Sequence, residues 1–287
     1  MKAFVLACSP LLAAGAATAG VTVQMLEHGK LQTVQIDGNK MRVDDWEGRG
    51  RALTFDGDAK ILRIFDSKSR TYGESNSADM RQQGEKFKQQ MAQARASMEK
   101  EMASLPPEQR KAMEEMMRKT GGGSQQPEEK QAEKKYRPTG EKKTIAGQRC
   151  EVYRVIEGGD SDEEQCIIPW SAGVVKKDDL KALESFADFW GEVVSGMGMT
   201  RQQLHMQFEA LRSAPGFPAQ TAELQSDGKR QVRNEIKSIA RASIPAEKFL
   251  VPPGYKKVGS AIGLMMSEGS DQKSQAAPPE EEDDEKK

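Results

Sequence analysis

Three residue types in this chain invite a chemical reading: a cysteine pair, a run of methionines and a cluster of aromatics. Cys150 and Cys166 stand 16 positions apart, and the third cysteine, Cys8, lies near the N-terminus. The pair lacks C-x-x-C spacing and has no histidine beside it, so neither redox exchange nor zinc binding is favoured. Seven of the 15 methionines fall between positions 80 and 117. Thioethers bind Cu(I), and methionine-rich faces adapt to varied apolar partners. A copper site calls for close methionines with a histidine nearby, and Met113, Met116 and Met117 form the one tight cluster, without a histidine. Core packing, or an adaptable binding face, is the simpler reading. Phe186, Phe189 and Trp190 bring three aromatics within five positions.

Other catalytic chemistry is poorly provided for. Only 2 histidines occur, His28 and His205, and nothing pairs them. G-x-S-x-G, H-E-x-x-H, P-loop and dinucleotide-binding fingerprints are missing from the sequence. Acid pairs such as Asp44-Asp45 and Asp178-Asp179 carry no special weight among 44 acidic residues. The expectation is a protein without enzymatic activity, cofactor or metal.

Charge and composition agree with that. The 43 basic residues against 44 acidic ones leave a net charge of −1, no basis for nucleic-acid binding. Residues 280–287 sum to −6 + 2 = −4, so the rest stands at +3. Apolar content is 36%, which becomes about 44% when glycine is counted and tyrosine omitted.

The two ends account for part of this. Residues 1–19 read as a signal peptide: Lys2, then an apolar stretch, then Ala17-Thr18-Ala19 as the small-x-small site. The stretch is too short to span a bilayer. Cys8 is preceded by too few residues for a lipidation signal. Cleavage near Ala19 would release about 268 residues into a periplasm. Residues 258–287, with two prolines and an acidic run, read as a disordered tail. In an oxidising compartment the remaining pair, Cys150 and Cys166, reads as a disulfide. A single strand over 142–155 and another over 164–168, turning about position 158, would oppose the two cysteines directly.

The elements between follow from periodicity. Alternating apolar residues with turns at Asp37-Gly38-Asn39 and Asp56-Gly57-Asp58 predict a meander of about six strands up to Tyr72. From position 76 the period changes. Met80, Phe87, Met91, Ala94, Met98 and Met102 are spaced seven, four, three, four and four, a helical stripe of coiled-coil type. A second helix is expected over 108–119, and residues 121–136 read as a flexible linker. The hairpin carrying the cysteines comes next. A helix over 174–189 carries Leu180, Leu183, Phe186, Ala187 and Trp190 on its apolar side, and another is expected over 201–212. A hairpin turning at Asp227-Gly228 follows, then an extended segment over 244–255. The predicted class is α+β: a signal peptide at 1–19, one domain over 20–257 with a helical insertion at 76–120, and a tail.

Several segments resemble an exported bacterial family known as DUF4412. They are residues 139–153, with Gly147 and Cys150, then Cys166-Ile167-Ile168-Pro169-Trp170, and Val251-Pro252-Pro253-Gly254-Tyr255-Lys256-Lys257. The meander from Met41-Arg42-Val43-Asp44 to Thr71-Tyr72 resembles the same family and, more loosely, the LolA-like lipoprotein-carrier superfamily. The resemblance implies an unclosed, curved antiparallel sheet, a half-barrel with helices over its concave side. In the carriers that surface holds acyl chains. The expectation for this chain is a periplasmic protein binding an acyl chain or lipidated partner, with Phe186, Phe189, Trp190, Met91, Met98 and Met102 as groove liners. The alternative is a scaffold whose helices over 76–120 bind protein partners. Neither involves nucleic acid or a transmembrane segment.

Overall fold

A computed structural model describes residues 19–46, 50–104, 106, 109–110, 134–157, 163–194, 211–225 and 227–266. The expected signal peptide, the expected helices over 108–119 and 201–212, and His205 lie wholly or mostly outside these residues.

Twelve strands form one sheet: β1 Gly20–Glu27, β2 Lys30–Asp37, β3 Lys40–Trp46, β4 Arg51–Asp56, β5 Ile61–Asp66, β6 Thr71–Asn76, β7 Lys135–Ile145, β8 Gln148–Ile156, β9 Glu163–Pro169, β10 Gly216–Leu224, β11 Arg230–Ala242 and β12 Lys256–Gly259. The spatial order is β12-β6-β5-β4-β3-β2-β1-β11-β10-β9-β8-β7. The sheet is large, open and mostly antiparallel. The expected six-strand meander is present, and β1 joins it to the later hairpins through β11. One pairing departs from the antiparallel rule: β12 adds parallel to β6.

Side chains alternate between the two faces of a strand. On the inner face the register aligns Val21, Ile36, Met41, Phe55 and Leu62 across β1 to β5. All five are 6% exposed or less. Among the described residues, three helices cover this face at the meander end: α1 Ser77–Ser104, α2 Lys181–Val194 and α3 Ala261–Met266. Met80 of α1 and Ala261 of α3 are fully buried. The start of α1 follows from its cap. Asn76 Oδ1 accepts from the amides of Ala78 and Asp79 at 2.8 and 3.1 Å, and Asp79 Oδ2 accepts from Asn76 N at 2.9 Å.

The other end of the sheet covers itself. Four strand spacings separate β7 from β11, roughly 19 Å if flat. Yet Cα atoms of the two strands approach within 8 Å. Arg230 on β11 reaches Glu141 on β7 at 2.9 Å, and its Nε lies 2.7 Å from the buried Glu164 on β9. Lys143 Nζ on β7 likewise reaches Gln220 on β10 at 3.3 Å. The sheet therefore curls from β11 to β7 and stops short of closing.

Cys150 and Cys166 are bonded inside this curl, with Cα atoms 5.4 Å apart. The expected bridge is present but its register is corrected. Val152 opposes Cys166, and Glu151 opposes Ile167, so the cysteines are diagonal neighbours and not direct partners. The hairpin pivots at 159, one residue later than expected. That shift moves the opposed pair by two positions and leaves both sulfurs on one face. The bridge closes a loop of 15 intervening residues, worth about 3 kcal/mol on the chain-entropy account.

Three boundaries also move. Residues 142–155 are not one strand, because Ala146 (φ 49°) and Gly147 (φ 73°) make a tight turn between β7 and β8. Lys135 and Tyr136, assigned to the linker, open β7. The chain does not leave the fold at Lys257: β12 runs to Gly259, and α3 buries Ala261 and Ile262 over β6. The closing segment contains a short 3-10 turn, Ala246–Phe249, and crosses the outer face, burying Ile244 and Phe249. Tyr255 packs edge-on against Phe65 at 5.8 Å.

Gly73 lets α3 dock, since a Cβ there would lie 2.5 Å from the Ser260 carbonyl oxygen. Gly73→Ala is expected to cost about 1–3 kcal/mol in denaturant unfolding, with faster amide exchange across 260–266. Glu74 ties β12 and β5 to β6 through Lys257 at 2.9 Å and Arg63 at 2.7 Å. Burial alone would raise its carboxyl; hydrogen bonds from Lys257 and Arg63 outweigh this and hold it low. A lowered folded value stabilises above the unfolded value of about 4.3 and is lost as pH falls below it. Unfolding midpoints measured from pH 6 to pH 3 should fall less steeply for Glu74→Gln than for the parent.

Candidate functional site

The aromatics predicted as groove liners sit on α2. Its first turn is fixed from two sides. Lys176 N donates to Asp179 Oδ2 at 2.7 Å, capping the 3-10 turn Lys177–Leu180 that leads into α2. Arg241 of β11 grips the same carboxylate with both terminal nitrogens, at 2.6 and 3.2 Å. Its Nη2 also donates to the Ala19 carbonyl at 2.8 Å. Asp179, given no weight in the sequence, is thus a positioning residue. It locks the start of α2 to the strand beside β1.

With that end fixed, α2 lays its apolar side on the inner face. Leu180, Ala182, Ala187 and Phe189 are buried. Phe55 of β4 is the floor. Its ring lies 5.3 Å from Phe186, edge-on, and 5.3 Å from Phe189, tilted. Trp190 stacks on Phe186 at 6.2 Å. Such geometries add about 0.5–1.5 kcal/mol per pair beyond area burial. Phe55 and Phe189 are 1% and 4% exposed, whereas Phe186 and Trp190 are half-buried. The cluster has a filled base and an accessible top. Phe55 was missed as a site residue, although its alternation with Leu53 on a strand was a readable signal.

The methionines are placed differently. Helix α1 has 28 residues and α2 has 14, so their lengths are about 42 and 21 Å. Met80 lies in the core at the sheet end of α1. Met91 and Met98, further along, are 43% and 45% exposed, and Met102 is half-buried. The structure gathers Phe186, Phe189 and Trp190 with Phe55, and leaves Met91 and Met98 on the surface of the helix that packs on α2. Met113, Met116 and Met117 lie outside the described residues. Among the described residues no group of three or more His, Cys, Asp or Glu is arranged to hold a metal ion. No described helix is long and apolar enough to cross a membrane.

The family described as domain of unknown function DUF4412 matches residues 66–255. The chain belongs to this family. The matched span holds the disulfide hairpin, α2 and the outer-face crossover; Phe55 lies before it. A crystal structure of an uncharacterized conserved protein from Thermus thermophilus is similar at 9% identity, over 85% of this chain and 91% of that chain, with a TM-score of 0.36. No curated protein matches the chain.

If Phe55 is the floor of the cluster, Phe55→Ala should cost about 3–5 kcal/mol. It should also red-shift the emission of Trp190 in a variant carrying Trp46→Phe and Trp170→Phe. An unchanged spectrum would mean that Trp190 does not depend on the cluster.

Proposed function

We propose that this DUF4412 protein is an exported, non-enzymatic binding protein of LolA-like type. In this reading the inner face of the sheet, beneath α1 and α2, takes an acyl chain or another elongated apolar group. The observation that carries the reading is the two-level aromatic cluster. Phe55 and Phe189 are buried and fix the floor, while Phe186 and Trp190 keep accessible ring surface above it. A folded chain gains by burying such surface, and an apolar ligand inserted under the helix would do so. The exposed Met91 and Met98 belong to the same helix layer, and unbranched thioether side chains repack around chains of different shape. The Cys150–Cys166 bridge is compatible with an oxidising compartment.

Native mass spectrometry and solvent extraction of protein purified from a periplasmic fraction test this. The expected result is a reproducible acyl-containing adduct whose occupancy falls at least fivefold in Phe186→Ala/Trp190→Ala. In the single-tryptophan variant, a brominated acyl chain should quench Trp190. Ligand-free protein together with unquenched Trp190 would defeat the reading.

A further inference from the structure

The β7–β9 end of the sheet carries a second feature, built from residues separate from the aromatic cluster. There the register sets two rows of side chains across the strands. Thr144 opposes Arg149, with Pro169 beyond at the end of β9 opposite Gly216. Lys142 opposes Glu151, which opposes Ile167. These rows line a cleft of about 540 Å³, with Pro215 also on its wall. Gly216 draws the start of β10 close against β9, since a Cβ there would lie 1.9 Å from the Ile168 carbonyl oxygen. That close approach sets Pro215 beside Pro169.

The chemistry of the lining is uneven. Ile167 is 1% exposed and, with the two prolines, gives a recessed apolar surface. Glu151 is engaged by the Tyr153 hydroxyl, which donates to it at 3.0 Å. Burial and that neighbouring carboxylate both raise the Tyr153 hydroxyl, so it remains a protonated donor at neutral pH. Lys143 is held between Glu141 at 3.6 Å and Gln220 at 3.3 Å. Lys142 and Arg149 make no ion pair or side-chain hydrogen bond among the described residues, and both are exposed. Two uncommitted cations thus stand over an apolar floor, in a cavity within the usual size range for small-molecule sites.

We propose that this cleft binds a small amphipathic carboxylate, its apolar body against Ile167, Pro169 and Pro215 and its head between Lys142 and Arg149. A guanidinium and an ammonium supply charge-assisted hydrogen bonds to a carboxylate, and Thr144 adds a hydroxyl donor. A membrane surface fits less well, because the apolar part is recessed and presents nothing to insert into a bilayer.

Calorimetric titration of the whole chain, disulfide intact, tests the site with decanoate below its micelle concentration. Decanol, acetate and anionic phospholipid vesicles are the comparison probes. The expected result is saturable decanoate binding, at least tenfold tighter than decanol or acetate and weakened by salt. Lys142→Gln/Arg149→Gln should weaken decanoate at least tenfold with an unchanged melting temperature, and Phe186→Ala/Trp190→Ala should leave it intact. Equal binding to the charge variant overturns the site. Loss in the aromatic variant alone moves decanoate to the aromatic cluster and overturns it too. Equal affinity for acetate reduces the cleft to a charge effect, and binding to vesicles alone makes it a membrane contact; either result overturns the proposal.

Discussion

The constraint on which this structure depends is the apolar surface of a twelve-stranded sheet, which has to be removed from water. The chain meets it in two ways. Over β6 to β1 the inner face is covered by helices: α2 over β3 and β4, α3 over β6, and the first turns of α1. From β11 to β7 the strands curl about the opposite face, the one that carries Val152, Cys166 and Gln220, until that face looks at itself. Curling brings polar groups together as well, and these are satisfied locally. Arg230 sits between Glu141 and Glu164, and Glu164 also faces Arg154 at 3.7 Å. A buried carboxylate without that guanidinium would be costly. The disulfide lies inside the same curl, so one covalent bond and one ion network hold this region.

The outer face follows a different logic. Over the meander it is crossed by the segment between β11 and β12, which buries Thr54 and Phe65 and brings the chain to the far edge. Arg42 donates to the Lys248 carbonyl at 2.8 Å, fixing the crossing at its middle. At the β7–β9 end the cleft lies on the face away from the disulfide. The accessible places thus lie at opposite ends of the sheet: the top of the aromatic cluster, and the cleft behind the disulfide hairpin. Prolines mark where the strands depart from regularity. Pro138 and Pro218 each stand beside a break in register, where a missing amide hydrogen costs little.

What the sequence made legible was local. The turns at Asp37-Gly38-Asn39, Asp56-Gly57-Asp58 and Asp227-Gly228 carry residues that accept a positive φ, and all three join strands in the structure. The switch from alternation to a helical period placed the start of α1, where the structure adds the Asn76 cap. The turn between β7 and β8 escaped because Ala146 stands at one of its left-handed positions, where glycine, asparagine or aspartate would have signalled it. The remaining misses are long-range. Parallel pairing of β12 with β6, the return of β7 to β11 and the grip of Arg241 on Asp179 join residues far apart in sequence, and no periodicity encodes them. The same holds for the site. Three aromatics on α2 were readable from helical spacing, but Phe55 beneath them belongs to a strand more than a hundred residues earlier.

That separation bears on how the family match should be understood. It spans residues 66–255, beginning at the end of β5. Inside it lie the curl, the disulfide, α2 and the crossover. Outside it lie β1 to β4 and nearly all of β5, among them Phe55, the partner strand of β11, and the residues on which α2 rests. Neither part buries its surface alone. Without β1, the inner edge of β11 has no ladder partner, and Arg241 loses the Ala19 carbonyl. Without the meander, α2 has no floor. The cleft, by contrast, is built wholly from residues within the matched span, on the end that curls. The aromatic site is therefore a property of the whole sheet, while the cleft is a property of the disulfide hairpin and its neighbours. Changes in the meander reach the first directly and the second only through the stability of the sheet.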